Sequence, residues 1–136
     1  MTNEKREIVV IDGQGGGIGS SVVEILKKEL DDLFIIAIGT NSAATNRMKK
    51  AGADVVATGE NAIIYNAKNA KMIVGPIGFV FANSMYGEVS PAMASAISAS
   101  EATKYFIPVS KCSGHVLGVE NKSIQEYIKE LVEILK

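Results

Sequence analysis

Short apolar runs alternate with amphipathic stretches along most of the chain. "EIVVID" (7–12) is short, β-branched and stopped by Gly13, so it reads as a buried strand. Val22, Val23, Leu26 and Leu30 then recur at helical spacing, with Glu24, Lys27, Lys28 and Glu29 opposite them. "LFIIAIG" (33–39) reads as a second strand, and "NSAATNRMKKAG" (41–52) as a short helix stopped by Gly52. "ADVVAT" (53–58) predicts a third strand, "GENAIIYNAKNA" (59–70) a helix and "KMIVGP" (71–76) a fourth strand.

Residues 77–90, "IGFVFANSMYGEVS", lack a clean period and read as an irregular loop carrying one helical turn. Ser90 suits a helix N-cap and Pro91 the first helical position of "SPAMASAISAS". "KYFIPV" (104–109) predicts a fifth strand. Pro108 cannot donate to a ladder, which puts that strand at an edge or ends it there. "HVLGV" (115–119) reads as a short final strand, hairpinned to the fifth through "SKCSG". Ser123 and Glu126 have capping-box spacing. Ile124, Tyr127, Ile128, Leu131, Val132 and Leu135 then form one stripe, read as core.

Strands that are apolar on both faces and alternate with helices imply a parallel sheet covered on both sides. The expected fold is α/β, a small doubly wound, Rossmann-like domain over residues 1–136, with an antiparallel edge strand as an option. Such sheets bind ligands at the carboxyl ends of the strands, where strand order reverses. In the order 3-2-1-4-5, the first and fourth strands flank that point.

Composition narrows the function. A formal net charge of −1 favours neither nucleic acid nor an anionic membrane as partner. Cys112 is the only cysteine, which rules out an intrachain disulfide and a Cys-rich zinc site; no metal site is expected. The first residues, "MTNEKRE", have no apolar h-region, and the most apolar run (72–82) is too short to span a bilayer. A cytoplasmic location is the expectation.

The candidate chemistry lies in "IDGQGGGIGS" (11–20). Gly13, Gly15, Gly16, Gly17 and Gly19 crowd the turn from the first strand into the first helix. Unpaired N–H groups and the helix dipole favour an anion there, and missing Cβ atoms let it approach. A P-loop is excluded, because no lysine follows Gly19. The dinucleotide pattern G-x-G-x-x-G fails at Ile18. Gly13, Gly17 and Gly19 do form G-x-x-x-G-I-G, which resembles the cofactor loop of short-chain dehydrogenases. The resemblance stops there. Asp12 stands where that loop usually opens with Thr, and "GTNS" replaces the acid expected after the second strand. The family's Tyr-x-x-x-Lys is absent, Tyr65 being followed by a lysine at position 68. Over nearly the whole chain, "VIDGQGGGIG", "AIGTNSAAT", "KAGAD", "TGENAI", "GPIG" and "IPVSKC" resemble a small family of prokaryotic proteins classed as a domain of unknown function. That resemblance implies a Rossmann-like fold and an intracellular location, and carries no activity.

The loop Asp12, Gly13, Gln14, Gly15, Gly16, Gly17, Ile18 and Gly19 is therefore expected to bind a phosphate-bearing ligand, either NAD(P) or another nucleotide. Asp12 suits Mg²⁺, a ribose hydroxyl or the capping of loop amides. Thr40, Asn41 and Ser42 suit a ribose or the N-cap of the next helix. Glu60 and Asn61 open toward the same end of the sheet; Glu60 is a candidate base or an ordinary first-turn acid. Gly75 and Pro76 face the glycine loop across the switch point, with Asn83 and Ser84 as further polar candidates. Cys112 and His115 could pair as thiol and base. The Ala/Ser-rich stretch "SPAMASAISAS" (90–100) offers a face for a homodimer. A regulatory or oligomeric interaction module and a small nucleotide-dependent oxidoreductase are the alternatives; whether any reaction occurs stays open.

Overall fold

A computed structural model describes residues 4–109 and 114–136. Five strands, β1 (Arg6–Asp12), β2 (Leu33–Gly39), β3 (Val55–Thr58), β4 (Met72–Pro76) and β5 (Thr103–Ile107), alternate with helices. These are α1 (Gly17–Glu29), α2 (Ser42–Ala51), α3 (Glu60–Asn69), α4 (Pro91–Ala99) and α5 (Ile124–Leu135). The sheet order is β3-β2-β1-β4-β5, so β1 and β4 flank the switch point. Every pairing is parallel. The fold is thus an α/β, Rossmann-like arrangement, as the alternation implied.

The central strand shows why its run is apolar throughout. Ile8 and Val10 point to one face, where they pack with Val22, Val23 and Leu26 of α1 and with Ile128, Leu131, Val132 and Leu135 of α5. Val9 and Ile11 point to the other, against Ile63 and Ala67 of α3 and Met93, Ala94 and Ile97 of α4. Successive side chains alternate across a strand, so a strand covered on both sides has no polar position to spare.

The caps follow the sequence. Asn41 caps α2 by accepting from the Ala44 amide at 2.9 Å, and Gly52 ends that helix at φ 117°. Ser90 caps α4, with Pro91 at its first position. In α5 the Ser123 hydroxyl accepts from the Glu126 amide at 3.1 Å, and the Glu126 carboxylate from the Ser123 amide at 2.9 Å. Replacing Ser123 by alanine should lower the unfolding free energy by about 1 kcal/mol, read as a shifted urea midpoint.

The end of the chain departs from expectation. Residues 115–119 form no strand, and the described sheet carries no antiparallel edge. Pro108 ends β5, and Gly118 turns left-handed at φ 84°, so the segment leaves the sheet instead of pairing with it. The intended hairpin turn, and Cys112 with it, lies outside the described residues.

Candidate functional site

Asp12 is the last residue of β1 and is buried, 3% exposed. Its Oδ1 accepts from the Gly13 amide at 2.8 Å and its Oδ2 from the Gly19 amide at 2.5 Å. Gly16 holds the N-cap position of α1 at φ 76° and has no side chain to offer. The carboxylate of the preceding strand supplies the cap instead, satisfying an otherwise orphaned donor in the helix's first turn. Of the three roles open to Asp12, the capping of loop amides is the one its geometry displays. Burial pushes its carboxyl above the usual carboxylate range. The Gly19 and Gly13 amides pull it back, and the charge of Glu88 adds to the rise.

The five loop glycines divide into two groups. A Cβ on Gly16 would lie 2.8 Å from the Ala44 Cα, and one on Gly19 2.7 Å from the Asp12 Cβ. A Cβ on Gly13 would run into the Glu88 carboxylate. All three are crowded, Gly16 by backbone, Gly19 by the Asp12 Cβ and Gly13 by the side-chain ends of Glu88 and Thr40. Gly15 and Gly17 are not: a Cβ on Gly15 meets nothing within 4 Å, and one on Gly17 only the Arg47 Nη1 at 3.6 Å. Neither has a positive φ. Both line an open cleft of ≈ 360 Å³ that runs along residues 12–18 and is walled by Met85 and Val109. The exposed Arg47 guanidinium stands at this end of the loop, its Nη1 3.5 Å from the Gly15 carbonyl oxygen.

On the β2 side the loop meets a residue that sequence reading does not single out. Glu88 Oε1 accepts from the Gln14 amide at 2.5 Å, from Asn41 Nδ2 at 3.2 Å and from the Thr40 hydroxyl. Asn41 Nδ2 also donates to the Gln14 carbonyl at 2.9 Å. Asn41 therefore both caps α2 and joins two loops. Glu88 is carried by a tight segment in which Asn83, Met85 and Tyr86 have φ of 67°, 57° and 58°. Left-handed backbone costs about 1–2 kcal/mol for a residue with a Cβ. Three hydrogen bonds to one carboxylate oxygen offset that cost. Glu88 is 74 residues from Gln14 in the chain, and no local motif connects them.

The remaining candidates are placed elsewhere. Ser42 is the exposed first residue of α2. Glu60 accepts from the Ser90 hydroxyl and so ties α3 to α4; neither it nor Asn61 lines the cleft. Gly75 is bare because a Cβ there would lie 2.8 Å from the Ile11 carbonyl oxygen, so it lets β1 and β4 approach at the switch point. Pro76 ends β4. The Ser84 hydroxyl, buried, donates to the Gly78 carbonyl at 2.5 Å, and Asn83 closes the turn before Glu88. His115 lines a second cleft of ≈ 480 Å³ with Pro108, Val109, Lys122 and Tyr127. Among the described residues, no group of three or more His, Cys, Asp or Glu could hold a metal ion.

The family model for a domain of unknown function, DUF3842, matches residues 7–136. The chain belongs to that family. No curated protein matches this DUF3842 chain. Among solved structures it is similar to a dodecameric FMN-dependent UbiX-like decarboxylase from Escherichia coli O157:H7. That likeness has 11% sequence identity and a TM-score of 0.43, and covers 93% of this chain and 90% of the other. No described helix of the DUF3842 chain is long and apolar enough to cross a membrane.

Proposed function

We propose that the chain binds a nucleotide or another phosphate-bearing ligand at the glycine loop. The observation that carries this reading is the pair Gly15 and Gly17. Gly13, Gly16 and Gly19 have close neighbours, but nothing in the fold needs a bare Cα at the other two. They face an open cleft at the first turn of α1, where the helix dipole is positive. The Arg47 guanidinium stands at the same spot and adds a positive charge. An anion is the ligand that uses all three features. The ligand is NAD(P) or another nucleotide, taken up in the cytoplasm, and binding does not by itself imply turnover. Self-association through the Ala/Ser-rich α4 belongs to the same proposal.

Gly17→Val separates ligand from fold. The new side chain enters open space, so the thermal midpoint should stay within about 2 °C of the parent, as for a surface change. It also fills the approach to the α1 amides. Calorimetric titration with pyrophosphate, ATP, NAD and NADP should show binding to the parent and a loss of about a hundredfold or more in the variant. Equal binding by both proteins, or none by the parent, would overturn the reading.

A further inference from the structure

A carboxylate of the chain itself rests on the glycine loop. Three donors converge on Glu88 Oε1: the Gln14 amide at 2.5 Å, Asn41 Nδ2 at 3.2 Å and the Thr40 hydroxyl. The same oxygen fills the space that a Cβ on Gly13 would need, so it lies against a bare Cα. A glycine loop at a helix start receives a phosphate oxygen in the same way, through a backbone N–H and a Cα with nothing to hold the anion off. Asp12, buried at the end of β1, is close enough that its charge and that of Glu88 repel.

Glu88 stands on neither a helix nor a strand. It belongs to segment 83–89, between β4 and α4. The Asn83 amide donates to the Val89 carbonyl at 2.7 Å and the Gly87 amide to the Asn83 carbonyl at 3.0 Å, so the segment closes on itself. Buried Val89 anchors its base, while Tyr86 at its tip is 90% exposed. The left-handed φ of Asn83, Met85 and Tyr86 persists only where the surroundings hold it. Glu88 supplies such a hold by tying the segment to the loops after β1 and β2.

Two residues connect this segment to the cleft. Gln14, which donates to Glu88, lines it beside Gly15, Gly16 and Gly17, and Met85 forms part of its wall. An anion bound at Gly15 and Gly17 therefore lies next to the Gln14 amide. That amide has one hydrogen to donate.

We infer that Glu88 is a built-in competitor for the ligand's anion and the latch of segment 83–89. A phosphate oxyanion that binds at Gly15 and Gly17 takes the Gln14 amide, displaces the carboxylate into solvent and unlatches the segment. Met85 then leaves the cleft wall and makes room beside the anion. Coupling is reciprocal, so the latch weakens anion binding to the extent that the anion weakens the latch. This rests on the glycine-loop reading and adds a regulation to that site.

The test uses inorganic pyrophosphate at fixed ionic strength. Hydrogen exchange of the parent, read by mass spectrometry, should speed about tenfold or more in peptides from 83–89 at saturating pyrophosphate, with β1 unchanged. By calorimetry, Glu88→Gln should bind pyrophosphate about tenfold more tightly than the parent, because a charged competitor becomes a neutral one. Glu101→Gln removes an exposed carboxylate just before β5, at the opposite end of the strands, and should stay within about twofold of the parent. No binding by the parent overturns the glycine-loop reading and this inference with it. Binding to the parent with exchange in 83–89 unchanged or slowed overturns the inference alone. So does a Glu88→Gln protein that binds no more tightly than the parent or than Glu101→Gln. The exchange measurement needs no variant and decides the matter if Glu88→Gln does not fold.

Discussion

Gly16→Val is expected to cost about 3–5 kcal/mol of unfolding free energy, adding left-handed strain to overpacking. Gly16 has φ 76°, and an added Cβ would lie 2.8 Å from the Ala44 Cα and 3.0 Å from its carbonyl oxygen. Both obstacles are backbone and cannot rotate away. Relief would require α2 to move from the start of α1, and the two helices pack together there. Small domains have roughly 5–15 kcal/mol in total, so much of the reserve would go. Urea unfolding followed by circular dichroism should show a large fall in midpoint with an unchanged slope. Gly15→Ala is the control one residue away. Its Cβ meets nothing within 4 Å, and its midpoint should move by no more than about 0.5 kcal/mol. Equal tolerance at both positions would contradict the division of the glycines into crowded and open positions.

Asp12→Asn should cost about 1–3 kcal/mol, because an amide offers one acceptor where the carboxylate offered two to the Gly13 and Gly19 amides. The cost should also depend on pH. Burial, countered by the two amides and helped by Glu88, holds the folded carboxyl above its unfolded value. The folded parent therefore binds the Asp12 proton more tightly than the unfolded chain does. By linkage, its stability falls as pH rises from the ordinary carboxylate range through the raised value. The asparagine variant has no such group. The gap in urea midpoints between parent and Asp12→Asn should be widest near about pH 4 and narrow toward about pH 8. A gap that widens with rising pH would mean that the loop amides outweigh the burial.

Much of this protein is determined locally. The β1 run is apolar at every position from Ile8 to Ile11, which suits only a strand covered on both faces. Gly52, Ser90, Pro91, Ser123 and Glu126 mark helix ends by short-range hydrogen bonding and backbone preference, and each sits where that chemistry places it. Alternation of strands and helices then leaves few ways to order the sheet, and the order found is one of them. The "HVLGV" segment shows the limit of such reasoning. Five residues of β-like composition form a strand only if an edge accepts them, and that depends on where the chain runs after Pro108.

The site was legible in part. Five crowded glycines between a strand and a helix identify a loop that needs bare backbone, whichever residue neighbours it. Which glycine serves packing and which faces open space is decided by Ala44, Asp12 and Glu88, two of them distant in the chain. The roles of Asp12 and Asn41 were each one of several that their chemistry allows, and the folded loop selects among them by distance. Glu88 and Arg47 carry no mark in the sequence, because a lone charged residue in a polar stretch is indistinguishable from a solvated one. Only the tertiary structure brings Glu88 to Gln14 and Thr40, and Arg47 to Gly15. Backbone periodicity and capping are short-range and survive in one dimension, whereas the sign of charge at each end of the glycine loop arises from groups that meet only when the chain folds.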